Sequence, residues 1–282
     1  MGADMRIRRP RQMSKAQRGV RPDVRRFWDE QAERYNERFE KTSGDSHALR
    51  ARLDATLRLV GPGPGSALDA GMGPGRLCAE LDARGWTVFG VDASVEMVAL
   101  ARARLPAASE RLVESSIESL PFADATFDRV TATGVLEYAS VPDALAELCR
   151  VLRPGGLAVL SYPNSRAVYR AWKSWVYYPT IRLLRRLISR PGALLPRGAG
   201  AIGPARFEGL LRHVGLVPVT LERTSALPVP APFDSLFPGL AARLGRWFEG
   251  GWLANAVLAT QVVYAARKPT ASPTEPPLST LR

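Results

Sequence analysis

The chain has 282 residues, 46% of them apolar, with a formal net charge of +12, which allows one large domain with insertions or at most two. That charge admits nucleic acid or an anionic membrane as partners. However, only Lys15, Lys41, Lys173 and Lys268 among the 39 basic residues are lysine, so the excess is largely an arginine bias and its placement matters more than its sum. Cys78 and Cys149 fall on apolar faces of predicted helices and read as reduced core residues, which excludes a disulfide framework. No Cys/His cluster has zinc-ligand spacing.

Residues 1–26 carry nine basic and two acidic side chains with little apolar periodicity, the pattern of a disordered basic arm. Met1 to Gln12 lacks the apolar core of a secretory signal, and Arg6 breaks the myristoylation pattern after Gly2, so the expected location is the cytoplasm. A helix is predicted from near Val24, with Phe27, Trp28, Ala32 and Tyr35 along it. A second runs from Leu49 to Leu59 and leads through Gly61-Pro62-Gly63-Pro64-Gly65 to a strand.

Ser66 to Gly75, Ser-Ala-Leu-Asp-Ala-Gly-Met-Gly-Pro-Gly, is an apolar run that breaks into glycines at 71, 73 and 75 before the helical pattern Leu77, Cys78, Leu81. This is a strand, a tight glycine turn and a helix. The backbone there can approach a ligand closely, and the first helical amides face the same space. The dinucleotide pattern Gly-x-Gly-x-x-Gly fails because its sixth position is Arg76. The next strand, Val88-Phe89-Gly90-Val91-Asp92, ends on a carboxylate suited to two ribose hydroxyls. Asp92 also suits a helix N-terminus with Ser94 as its cap.

Strands are predicted at 66–70, 87–92, 110–115, 127–133 and 156–161, with helices at 75–84, 94–105 and 143–152. The alternation implies a parallel, doubly wound α/β sheet with ligand across its carboxyl ends. A helix at 204–213 and strands at 216–223 and 257–267 complete seven strands, the last two pairing antiparallel. The tail from Pro269 is Pro/Ser/Thr-rich and expected to be disordered.

From Ser161 to Phe207 there is no acidic residue but nine basic ones, among them Arg182, Arg185 and Arg186, interleaved with Tyr162, Tyr169, Trp172, Trp175, Tyr177 and Tyr178. Ser165 to Arg190 is helical in period with a kink expected at Pro179, and Ile181, Leu184, Leu187 and Ile188 line one side. This is the composition of an interfacial helix pair, or of a substrate lid with a basic outer face. It falls short of the roughly 18 apolar residues that a spanning helix needs. Leu227 to Trp252 is a second apolar insertion, rich in Pro and aromatic residues.

The ordered motifs Asp69-x-Gly71-x-Gly73-x-Gly75, Asp92, Leu120-Pro121-Phe122, Phe127-Asp128-Arg129-Val130 and Arg150-Val151-Leu152-Arg153-Pro154-Gly155-Gly156 resemble those of the class I S-adenosylmethionine (SAM) dependent methyltransferases. The similarity is to the ubiquinone/menaquinone-type superfamily. It implies a Rossmann-like seven-stranded sheet at 27–161 and 204–268, with lid insertions at 162–203 and 224–256. The cofactor it implies is SAM, held by Tyr35, Asp69, Ala70, Gly71, Met72, Gly73, Gly75, Asp92, Ala93, Met97, Ser116, Ile117, Thr133 and Tyr138. By the resemblance Tyr35 covers the methionine end of SAM. Where the superfamily has Gly-Asp-Ala, with its Asp on the adenine amino group, this chain has Ser115-Ser116-Ile117, leaving Ser116 as a neutral acceptor. The metal-binding Glu-x-x-Glu-His of ubiquinone O-methyltransferases lacks its first Glu and its His in the window Gly134 to Tyr138, so no metal site carries over. Candidate general bases are Glu137 and His47; His213, before the Gly215 turn, reads as structural.

The expected function is methyl transfer from SAM to a small lipophilic or membrane-located acceptor, with the chain cytoplasmic or peripheral on an anionic inner membrane face. The alternatives are an RNA- or protein-directed methyltransferase, disfavoured by Thr133-Gly134-Val135-Leu136 in place of an Asn-Pro-Pro-Tyr motif, and a non-catalytic SAM-binding partner subunit.

Overall fold

The computed structural model describes residues 21–39, 44–165, 167–168, 172–177, 179–180, 202–226, 237, 239–240, 243–244, 247 and 259–270. Helix α1 (Pro22–Glu37) and helix α2 (Gly44–Val60) precede a sheet built from β1 (Gly65–Ala70), β2 (Trp86–Asp92), β3 (Leu112–Glu114), β4 (Phe127–Ala132), β5 (Leu152–Pro163), β6 (Val217–Ala226) and β7 (Ala259–Arg267). Helices α3 (Arg76–Ala83), α4 (Val95–Arg104), α5 (Val141–Val151) and α6 (Pro204–His213) connect them. Residues 22–26, expected in the arm, are the first turns of α1 because Pro22 sits at the position where a missing amide costs nothing. The rest of the expected arm, 1–20, and most of the expected tail, 271–282, lie outside the described residues.

The sheet order is β3-β2-β1-β4-β5-β7-β6. The strands β1 to β5 run parallel, while β7 enters between β5 and β6 antiparallel to both. Because β7 is paired on both edges it is buried almost throughout, which its run Val262-Val263-Tyr264-Ala265-Ala266 reflects. The expected pairing of the last two strands holds, with the added β5–β7 ladder. Strand direction in sequence reverses between β1 and β4, and ligands of such sheets collect beyond the carboxyl ends at that point.

Two cores cover the faces. Phe127, Leu145, Leu148, Phe207 and Tyr264 pack on the α5 and α6 side. Cys78, Leu81, Val88, Val98 and Ala101 pack beneath α2, α3 and α4. Leu148 is fully buried, so truncation to Ala costs about 2–5 kcal/mol. Arg150 ties α5 to the Leu120-Pro121-Phe122 turn through the carbonyls of Leu120 and Phe122 and the carboxylates of Asp124 and Glu147. Those carboxylates raise its pKa. The motif residues around it are therefore structural.

Three boundaries differ from expectation. The segment 106–111 is a 3-10 turn opened by Pro106, so β3 has only three residues. Strand β5 begins at Leu152, which pairs with Phe127; Arg153-Pro154-Gly155-Gly156 then forms an irregularity without partners in β4 before the pairing resumes at Leu157 opposite Arg129. Strands β5 and β6 run on to Pro163 and Ala226, so the connections span 164–203 and 227–258. Of the helix expected at 165–190, the described part includes a π-turn at Lys173–Tyr177, whereas Ile181 to Arg190 lie outside the described residues.

Candidate active site at the carboxyl ends of the strands

The glycine turn is built by β1 handing over to α3. The Gly71 and Met72 amides both donate to the Val91 carbonyl, at 2.8 and 2.9 Å, which folds the turn back onto the end of β2. Gly71 has φ +77°, and a Cβ there would lie 2.6 Å from the Val135 side chain; the position must be bare for the loop after β4 to close. Gly73 also has positive φ, but a Cβ there would meet nothing nearer than Tyr35 at 3.8 Å, so this backbone borders open space.

Asp92 anchors the turn from the tip of β2. Its Oδ2 accepts from the Gly73 amide and its Oδ1 from the Ser94 amide, each at 2.9 Å. Burial raises its pKa, against the pull of those amides. Ser94 caps α4 by accepting from the Met97 amide and donates to Asp29 of α1 at 2.6 Å. Asp92 thus holds the glycine turn and the start of α4 together, and each of its oxygens keeps a lone pair beyond the one the backbone uses.

Helix α1 roofs this space. Arg25 pairs with Glu114 at the end of β3, and Asn36 accepts from Arg104 of α4 at 2.8 Å. Trp28 packs edge-on against both Tyr35 and Tyr138, with ring centroids 5.4 Å apart in each case. Beneath lies a cavity open on one side. Tyr35, Gly71, Gly73, Asp92, Ala93, Met97, Ile117, Thr133 and Tyr138 all line it.

A second chamber shares Tyr35, Gly71, Gly73 and Thr133 with the first and adds Asp69, Met72 and Arg52. Asp69 is 1% exposed; Thr131 donates to its Oδ1 at 2.7 Å and the Cys78 thiol faces Oδ2. Burial pushes its pKa up to about 6, opposed by those two hydrogen bonds. Arg52 hangs over Gly134, where a Cβ would lie 2.6 Å from its guanidinium. It reaches the Tyr35 hydroxyl at 3.4 Å and forms no ion pair among the described residues. The guanidinium is partly buried, lines the chamber and acts on Asp69 across it, opposing the rise of that carboxylate's pKa.

Other expected residues stand elsewhere. Ala70 is buried in β1, and Gly75 caps α3 and packs on Ala101. His47 in the first turn of α2 and Glu137 in the 3-10 turn Leu136–Tyr138 line neither chamber. Exposed His213 ends α6. Ser116 lines neither chamber; its hydroxyl donates to the Glu118 carboxylate and accepts from the Glu118 amide, which leaves it one lone pair. Glu118 lines the cavity instead. Sequence reading missed Glu118 and Arg52. Arg52 carried a signal, since helical period puts it on the inward stripe of α2 with Leu49 and Thr56, where a charge is anomalous. Among the described residues no group of three His, Cys, Asp or Glu side chains converges.

The SAM molecule implied by the sequence fits these groups. Asp92 can take its ribose hydroxyls, Met97 and Ile117 the adenine faces, and Asp69 and Arg52 the ammonium and carboxylate of its methionine end. A sequence model of the family described as methyltransferase domain matches residues 68–160. The malonyl-[acyl-carrier protein] O-methyltransferase of Enterobacter lignolyticus is 37% identical over 147 residues, half of this chain and 55% of that protein. The same-named protein of Erwinia pyrifoliae is 34% identical over 57% of this chain and 61% of its own. The chain spans about half the length of the first curated relatives it matches. Among solved structures, a putative methyltransferase from Haloferax volcanii, in complex with the Trm112 methyltransferase activator, superposes with a TM-score of 0.59 at 20% identity, covering 86% of this chain and 97% of its own. A SAM-dependent methyltransferase from Thermotoga maritima, described as a possible histamine N-methyltransferase, gives 0.59 at 16% identity over 86% and 99%. Residues 68–160 are thus a methyltransferase domain, and the fold they belong to is that of the class I SAM-dependent methyltransferases.

Proposed function

We propose that the chain is a SAM-dependent methyltransferase acting on a small, lipophilic or membrane-located acceptor. The observation that carries the first part is the pair of joined chambers, with Asp92 facing one and Asp69 and Arg52 the other around a glycine backbone open at Gly73. Bound SAM supplies a methyl group already activated on a sulfonium sulfur. The protein's share is to hold donor and acceptor close in a dry site. Asp92 fixes the ribose, Arg52 and Asp69 fix the amino-acid end, and Tyr35 and Trp28 exclude water from above. His47 and Glu137 stand off the cavity wall, so the proposal assigns no general base. Calorimetry with SAM tests this part; absence of binding refutes it.

The acceptor reading rests on topology. Pro163 at the end of β5 lies opposite Gln261, and Ala226 at the end of β6 opposite Ala259. Both insertions therefore leave the sheet at the edge where the donor cavity opens. The described residues of these insertions expose Trp175 at 83% and Trp247 at 73%, side chains suited to a membrane interface. No described helix is long and apolar enough to cross a membrane. The test is sedimentation with phosphatidylserine-containing vesicles, using protein without residues 1–20 so that the basic arm does not contribute. Binding should grow with anionic lipid, fall with salt and weaken when Arg182, Arg185 and Arg186 become Glu. Protein that stays in the supernatant at low salt reduces the insertions to a lid over a soluble acceptor.

A further inference from the structure

We infer that Asp29 is a positioning residue, which through Ser94 fastens the roof helix α1 to the carboxylate that meets the donor. The inference rests on the SAM reading above and adds what holds the roof of the cavity shut.

Helix α1 uses two stripes. Val24, Trp28 and Tyr35 line the cavity. Arg25, Asp29 and Asn36 recur at helical spacing along a second stripe, and each reaches a residue of β3 or α4 or its cap. Val24 and Ala32 are the buried residues of this helix, so apolar burial seats it lightly and polar contacts matter more than usual. Those contacts differ in strength. The Arg25 and Glu114 side chains are 44% and 45% exposed, and such a pair contributes little. Asn36 is a neutral acceptor for Arg104. Asp29 is a carboxylate that takes the proton of a serine only 1% exposed, and a buried donor with a charged partner is costly to orphan.

Ser94 is the joint. Its hydroxyl proton goes to Asp29 Oδ1 at 2.6 Å, and its oxygen accepts the Met97 amide at 3.2 Å. Its own amide goes to Asp92 Oδ1 at 2.9 Å. One residue therefore ties the roof, the start of α4 and the carboxylate that holds the glycine turn. The Asp29 charge adds to burial in raising the pKa of Asp92, so the two carboxylates are near enough to repel. Ser94 donates to both and keeps them together. With Asp29 in place, Trp28 and Tyr35 stay over the cavity; each time the roof lifts, water enters the site where donor and acceptor must meet dry. A hydrogen bond to a charged partner changes such an opening equilibrium by about tenfold or more.

The experiment is hydrogen–deuterium exchange of the full-length protein, with and without S-adenosyl-L-homocysteine. In wild type the ligand should slow exchange across residues 22–37, because it binds beneath them. In unliganded Asp29→Ala, exchange across 22–37 should quicken about tenfold or more, while β1 and β4 keep their wild-type rates. Asn still offers an oxygen to the Ser94 proton, so Asp29→Asn should recover most of the protection. Glu114→Ala removes only the exposed pair and should stay within about fivefold of wild type. Ser94→Ala breaks the same bond from the other side and should loosen the same residues, which keeps the test open if Asp29→Ala does not fold. A wild type that does not bind the ligand overturns the SAM reading itself. Binding that leaves 22–37 unprotected, an Asp29→Ala protein with wild-type exchange there, or an Asp29→Asn protein as loose as Asp29→Ala overturns the role of Asp29 and leaves the SAM reading standing. So does exchange that quickens equally in β1 and β4, which is the mark of a general loss of stability.

Discussion

Replacing Asp92 by Ala removes the group that both shapes the glycine turn and faces the cavity. Its oxygens accept from Gly73 and Ser94 at 2.9 Å each, and the remaining lone pairs are those left for two ribose hydroxyls. Each charge-assisted ribose bond contributes about 1–2 kcal/mol net, so the loss of two is about 2–4 kcal/mol, or roughly 30- to 1,000-fold in Kd. The released Gly73 amide borders open space, where water can take over, so the turn itself should suffer less than the ligand. Calorimetry of S-adenosyl-L-homocysteine and its 2′-deoxy analogue separates the two effects. Wild type should lose affinity when the hydroxyl goes, and Asp92→Ala should be nearly indifferent to it. Unchanged affinity in Asp92→Ala, or an undiminished 2′-hydroxyl contribution, would refute the assignment of the carboxylate to the ribose.

Arg52→Ala should weaken SAM binding by about 1.5–3 kcal/mol while leaving methylthioadenosine, which lacks the amino-acid end, bound as in wild type; equal losses for the two ligands would remove Arg52 from the methionine end. Asp69 has a pKa raised to about 6, so the unliganded fold is relieved when it protonates: stability is lost as pH rises from about 4 to about 6, by up to about 3 kcal/mol. Affinity for the cationic donor runs the other way and should fall as pH drops below about 6. Asp69→Asn should flatten both profiles, and a pH dependence that survives it assigns the titration elsewhere. Arg150→Ala orphans the carbonyls of Leu120 and Phe122 and should cost about 2–4 kcal/mol, a Tm fall of roughly 5–15 °C; a smaller shift by calorimetric melting means that Glu147 and Asp124 contribute little to the fold.

The sheet was legible because its signals are local and repeated. Strands such as Val88-Phe89-Gly90-Val91 are buried on both faces and read as apolar runs, and glycines that must take positive φ mark the turn after β1. Boundaries slipped where a local rule met a tertiary demand. Arg153-Pro154-Gly155-Gly156 has turn composition and does leave the ladder with β4, yet β5 already pairs at Leu152 before it and resumes at Leu157 after it. The start of α1 was placed late because Pro22 and Arg25 look like the arm before them. Only the tertiary contact of Arg25 with Glu114, 89 positions on, marks Arg25 as part of the roof.

The site divides in the same way. Residues whose work depends on backbone geometry, such as Gly71, Gly73 and Asp92, stand in ordered motifs and can be placed from spacing. Side chains that act from a neighbouring element leave no spacing to read: Arg52 comes from a helix before the first strand, in a chain where arginine is abundant. Ser116 shows the converse limit. It occupies the position from which the resemblance expects an acceptor, and a hydroxyl there has the right chemistry. What decides the matter is where its one proton goes, and that proton goes to Glu118. With its proton and one lone pair committed inside the turn, the serine helps to hold the Glu118 carboxylate in place. At that position the chain has a serine where the resemblance expects an acid, and Glu118, two positions on, is the acidic residue by which this turn lines the cavity.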